Sequence, residues 1–191
     1  PRRQRQMCIR DSNTNEHFVL KDPRLCILFE GMIPCLVESL VQLDFLLILR
    51  SPVEVVISLC KAEKISPYDA LNLWIGSVFR AECMSRPYSR NILTYYQLLN
   101  RPQAIVDSLG LNLNPSLMES RLDQATSFLR PSLYRTKVDN VRESFVATNP
   151  ELTSLLVLAE QIFDCFQYPT PDIALTSEKL KYQWLEILAD R

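Results

Sequence analysis

Glycine is scarce: Gly31, Gly76 and Gly110 are the only three in 191 residues, and they are isolated. The described chain therefore carries no glycine-rich loop of the kind that wraps phosphates with backbone N–H groups. Histidine is scarcer still. His17 stands alone, which excludes a multi-histidine metal site and argues against a histidine-based triad. Charge of one sign is also missing, since the net charge is −1. No global field points to nucleic acid or an acidic membrane, although a local basic pocket stays open. No apolar run is long enough to span a bilayer. No secretory signal pattern is visible at the start.

Cysteine is present but unpaired in pattern. Cys8, Cys26, Cys35, Cys60, Cys83 and Cys165 form no C-x-x-C motif, and most lie inside apolar runs. There a thiol behaves as a small hydrophobe. This predicts a reduced, cytoplasmic protein without disulfides or structural zinc. Apolar residues make up 47% and charged residues 23%, an ordinary globular balance that suffices for one domain with its own core.

Residues 1–12 differ from the rest. They are basic and show neither periodicity nor capping signals, as a disordered tail would. The stretch "RRQRQMCIRDS" also resembles the translation of a transposon adapter used in sequencing libraries. That resemblance implies a non-native tail over 1–12 and a domain fragment over 13–191, truncated at its N-terminus.

Order begins near His17. "HFVLK" predicts a short strand. Residues 23–43 predict a helix broken near Gly31–Pro34. "DFLLILR" predicts a continuous apolar strand, covered on both faces as in a parallel sheet. "SPVEVVISLCK" then opens a helix, with Ser51 and Glu54 as a capping box and Pro52 at the first helical position. The device returns at Ser66, Pro67 and Asp69, ahead of an apolar face carrying Ala70, Leu71, Trp74, Ile75 and Val78. "NILTYYQLL" predicts a strand and 100–111 a short helix stopped by Gly110. Residues 112–140 read as irregular, with a short helix about 116–125. Asn149 and Pro150 predict the start of a strong amphipathic helix, and a last helix follows "TPDI" from Ser177. Strands alternating with helices make the class α/β with a parallel sheet.

In an open parallel sheet, ligands bind at the carboxyl ends of the strands. Arg50 stands at such an end, where the next helix presents free N–H groups and the positive end of its dipole. Ser58 follows Ser51 by seven residues on the same helical face. Arg50 and Ser58 are therefore candidates for holding a phosphate. The plainer alternative is an arginine paired with a neighbouring loop and a serine that packs.

The spacing of Arg50 and Ser58 in "LRSPVEVVISL" resembles the 3′-phosphate-binding motif of the sulfotransferase family. "LKDPRLCIL" resembles the lysine-containing strand segment of the bacterial and carbohydrate-type members. "ILTYYQLLNRPQAIVDSLGL" resembles the family's tyrosine-containing strand, loop and short helix, with Tyr96 and Gln97 in place of its acidic pair. "FLRPSLYRTK" resembles, more loosely, a loop near the donor's 3′ side. The resemblance implies a P-loop-kinase-like parallel sheet flanked by helices, here lacking its first strand and phosphate loop.

It also implies chemistry: sulfuryl transfer from 3′-phosphoadenosine-5′-phosphosulfate to the hydroxyl of a small-molecule or carbohydrate acceptor, without metal and without nucleic acid. Such in-line transfer rests on positioning and charge stabilisation. By the resemblance, Lys21 supplies positive charge at the leaving oxygen. Arg50 and Ser58 hold the 3′-phosphate, and Tyr95 contacts the adenine side unless it is simply a core tyrosine. A general base is needed. Pro23 stands where many relatives carry histidine, so Asp22 is the first candidate and Glu30 the second, each of which a surface or helix-capping role would explain as well. Arg24 is a candidate for an acceptor anion or simply pairs with a carboxylate, and Arg130, Arg135 and Lys137 are candidates for closing over the nucleotide unless they belong to a solvated loop. With half the donor site missing, the fragment itself is expected to be inactive. Two other readings share the scaffold: a non-catalytic interaction domain, and another P-loop transferase or kinase.

Overall fold

A computed structural model describes residues 20–22, 24–38, 42–101, 141–168 and 172–189. The chain divides into two compact units, Pro1–Gln42 and Leu43–Arg191. The expected tail over 1–12, the loop with Arg130, Arg135 and Lys137, and the helix expected near 100–111 lie outside the described residues, Asn100 and Arg101 excepted.

The first unit contributes helix α1, Leu25–Glu38. It runs unbroken through Pro34, against the expected break. A proline ring fixes φ near the helical value, so the helix can continue while losing the bond from that nitrogen. Most of the strand expected at 17–21 lies outside the described residues, and Leu20 and Lys21 have irregular backbone.

The second unit is built on two parallel strands, β1 (Asp44–Leu49) and β2 (Ser89–Thr94), in register from Asp44↔Ser89 to Leu49↔Thr94. A parallel pair requires a crossover. Here it consists of α2 (Pro52–Glu63) and α3 (Pro67–Ser85). After β2 come α4 (Tyr95–Asn100), α5 (Val141–Thr148), a 3-10 turn at Pro150–Leu152, α6 (Thr153–Gln167) and α7 (Ile173–Ala189). The α/β class with a parallel sheet is thus observed, in a mostly helical unit whose described sheet has two strands. Among the described residues, no helix is long and apolar enough to cross a membrane.

Local signals explain most of these starts. Ser66 caps α3 as expected, its hydroxyl oxygen accepting from Asp69 N at 3.1 Å. Ser51 does not cap α2 with its side chain. Glu54, its expected box partner, turns instead to Arg50, because a guanidinium holds a carboxylate more strongly than a lone backbone N–H does. Asn149 does not cap α6 either. It donates to Phe145 O at 3.0 Å, and the 3-10 turn takes up the entry. The last helix starts earlier than expected, at Ile173.

The core lies where α6 meets α2, α3 and β2. The expected α3 face, Ala70, Leu71, Trp74, Ile75 and Val78, is buried. It meets Leu155, Ala159, Ile162 and Phe166 of α6, a stripe at helical spacing. Trp184 of α7 anchors that helix by donating to Asn72 Oδ1 at 2.8 Å. Trp74 donates to Arg50 O at 3.2 Å and so ties α3 to the end of β1. Coverage of β1 on both faces is not what is found. Its exposure alternates, and Leu46 and Ile48 are open at 42% and 44%. The described helices that pack the core lie against the other face alone, which is the pattern of a strand with one covered side.

Candidate functional site

Parallel pairing puts the carboxyl ends of β1 and β2 side by side. Each strand runs straight into a helix there, β1 into α2 and β2 into α4. A hollow of roughly 200 Å³ opens at this edge, bordered by Arg50, Glu54, Thr94, Tyr95, Phe163 and Gln167 among others. That is smaller than the roughly 300–1,000 Å³ that enclose a drug-sized ligand, and suits one group of a ligand instead.

Arg50 follows the last residue of β1, and its guanidinium carbon stands 5.4 Å from the centre of the Tyr95 ring. This is within the range of a cation–π contact. The structure therefore brings Arg50 and Tyr95 together. Tyr95 is not in a strand, as expected, but is the first residue of α4. Thr94 and Gln97 form a reciprocal box there: Gln97 N donates to Thr94 Oγ1 at 3.1 Å, and Thr94 N donates to Gln97 Oε1 at 2.7 Å. The T-x-x-Q spacing was the available signal for that helix start.

Sequence reasoning assigned Glu54 to a cap alone. It is 1% exposed, and its Oε2 accepts from Arg50 Nε at 2.7 Å. The second oxygen, Oε1, is buried without a hydrogen-bond partner. Both Nη groups of Arg50 are without a hydrogen-bond partner among the described residues. The hollow thus offers guanidinium donors and a carboxylate acceptor next to an aromatic ring. Ser58 is exposed one turn beyond Glu54 and does not border the hollow.

The remaining candidates belong to the first unit. Lys21 is exposed on irregular backbone, and Glu30 is exposed on α1. Asp22 is tied to Arg24 by three bonds: from the backbone N at 2.8 Å, from Nε at 2.9 Å and from Nη2 at 2.7 Å. Hydrogen bonding from the Arg24 side chain, and then from its backbone, pulls the Asp22 carboxyl from 3.8 down to about 2. A carboxylate that acidic is a weak proton acceptor at neutral pH. Titration followed by carbon-13 NMR is expected to find the Asp22 midpoint near 2, returning towards 3.8 in Arg24→Ala. A midpoint near 4 in the native chain would refute the pairing. Since the folded value is the depressed one, the pair's contribution is complete above about pH 4 and disappears as pH falls through about 2.

Two half-buried thiols are held above the ordinary thiol value. Burial raises Cys60, and burial followed by the charge of Glu82 raises Cys165. Neither borders the hollow.

No family model matches the chain, and neither does any curated protein or solved structure.

Proposed function

We propose that this chain is a sulfotransferase-type domain on a P-loop-kinase-like scaffold, handling 3′-phosphoadenosine-5′-phosphosulfate and transferring its sulfuryl group to an acceptor hydroxyl. One observation carries the reading: Arg50, whose Nη donors have no hydrogen-bond partner among the described residues, lines a hollow at the shared carboxyl ends of two parallel strands. Ligands of open parallel sheets bind at that edge. The first helix after β1 begins at Pro52 and adds its dipole to the same edge. In this reading Arg50 holds the donor's 3′-phosphate, and Tyr95 supports the guanidinium with its ring. Ser58 enters by its spacing alone, and Lys21 by the resemblance of its segment alone. Asp22 is the weaker of the two candidate bases on account of Arg24, which leaves Glu30 as the exposed carboxylate to test. A reducing, cytoplasmic setting belongs to the same proposal and rests on the absence of any C-x-x-C pattern in the sequence.

The fit has one adverse feature. Glu54 lies against Arg50 and neutralises much of its charge. This favours, as the second reading, a non-catalytic interaction domain on the same scaffold, in which the pair is structural.

Calorimetry with adenosine 3′,5′-bisphosphate separates the two. Arg50→Ala is expected to weaken binding by about 1.5–3 kcal/mol, the scale of a hydrogen bond to a charged group. That is roughly 10- to 150-fold. No binding by the native chain, or equal binding by Arg50→Ala, favours the interaction domain and overturns the nucleotide site.

A further inference from the structure

Glu54 borders the hollow, and its Oε1 is buried, unpartnered and in need of a donor. A carboxylate oxygen removed from water loses its hydration and recovers it only from an N–H or O–H. The same carboxylate is bonded to Arg50 at 2.7 Å, so the donor it accepts from must lie close to whatever the free Nη groups of Arg50 bind. Those groups select an acceptor, ideally an anionic oxygen. The ligand group that fits both is a hydroxyl on the carbon next to a phosphate ester. Such a pair also suits the near-neutral Arg50–Glu54 couple, which would repel a bare phosphate more than an isolated arginine would.

We infer that Glu54 Oε1 accepts a hydrogen bond from the ribose 2′-hydroxyl beside a 3′-phosphate held by Arg50, and so makes the site specific for ribonucleoside 3′-phosphates over their deoxy counterparts. The inference rests on the proposed nucleotide reading and adds a specificity-determining residue to it. The donor is the ligand's hydroxyl, because the carboxylate brings only lone pairs. Two of the other polar side chains at the rim, Thr94 and Gln167, already have partners in Gln97 and Tyr168.

Three probes test it on the native chain: adenosine 3′-monophosphate, its 2′-deoxy form and its 2′-O-methyl form. Binding is read by nitrogen-15 NMR titration, with the amides of Arg50 and Tyr95 as reporters. The deoxy and O-methyl ligands are expected to bind about tenfold more weakly than the ribonucleotide, the value of one hydrogen bond to a charged group. The O-methyl form keeps the oxygen and loses the proton, so it must fail like the deoxy form if Glu54 is the acceptor. Glu54→Leu is expected to bring the three affinities together. Equal affinities in the native chain overturn the hydroxyl contact and leave the phosphate site standing. A preference that survives in Glu54→Leu overturns the role of Glu54. No binding of any probe overturns the nucleotide site and this contact with it. Should Glu54→Leu fail to fold, the deoxy and O-methyl ligands still decide the question on the native chain.

Discussion

Glu82→Ala is expected to lower unfolding stability by about 3–5 kcal/mol, the range for removing one partner of a buried ion pair. Glu82 is 0% exposed near the C-terminal end of α3. Its Oε1 and Oε2 accept from Arg86 Nε and Nη2 at 2.8 and 2.7 Å. Arg90 Nη1 reaches Oε1 at 3.1 Å from β2, and Ser177 Oγ donates to Oε2 at 3.3 Å from α7. One carboxylate thus joins a helix, a strand and the last helix. The hydrogen bonds that Arg86 donates to Glu82 hold its guanidinium above its ordinary value. Alanine leaves two guanidinium groups facing each other with Glu178 as the remaining acid on Arg86. Glu82→Gln keeps the shape and removes only the charge, and about 1.5–3 kcal/mol should be lost. Urea unfolding followed by the fluorescence of Trp74 and Trp184 measures both. A loss under about 1 kcal/mol in Glu82→Ala would show that the network is solvated in practice.

Phe166→Ala is expected to cost a similar amount, about 3–5 kcal/mol, for a different reason. The ring is 1% exposed, one of the largest fully buried side chains, and no polar partner is lost with it. The cost is lost transfer energy plus the cavity left behind. Its neighbours Phe163 and Gln167 line the hollow, so the same substitution should broaden the NMR signals of the Arg50 edge. Stability within about 1 kcal/mol of the native value would mean that α6 collapses into the gap. The two variants differ in salt response: only the Glu82 loss should shrink as ionic strength rises.

Much of the fold was legible because its signals are local. The apolar run Phe45–Leu49 forms β1 together with Asp44, and Pro52 and Pro67 mark two helix starts. The Ser66–Asp69 cap and the buried face of α3 follow from spacings of three and four residues along one chain segment. Where local signals competed, sequence reading went astray. Ser51–Glu54 has the form of a capping box, yet Arg50 lies four residues before Glu54 and takes it. Thr94–Gln97 has the same form and does close, which ends β2 a residue before the tyrosines. Nothing in a single sequence ranks a guanidinium against a backbone N–H until both are in place.

The site was half legible. Arg50 at the end of an apolar strand and the start of a proline-marked helix is a reading that needs no tertiary information. The ring of Tyr95 beside it does require the parallel pairing of β1 with β2, forty-five residues apart in register. Glu54 was visible as a residue but not as an orphaned acceptor, since burial of its second oxygen depends on the packed core around it.

By itself, then, the amino-acid order determined the secondary elements that a few neighbouring residues can dictate, and with them Arg50's position at a strand's carboxyl end. Tertiary structure alone decided which charges are buried and what they face. Glu82 has the sequence context of a solvated helix residue, but its partners sit four, eight and ninety-five positions away. Interactions within a turn are set by backbone geometry, whereas a long-range pair exists only after the chain has closed the loop between its ends.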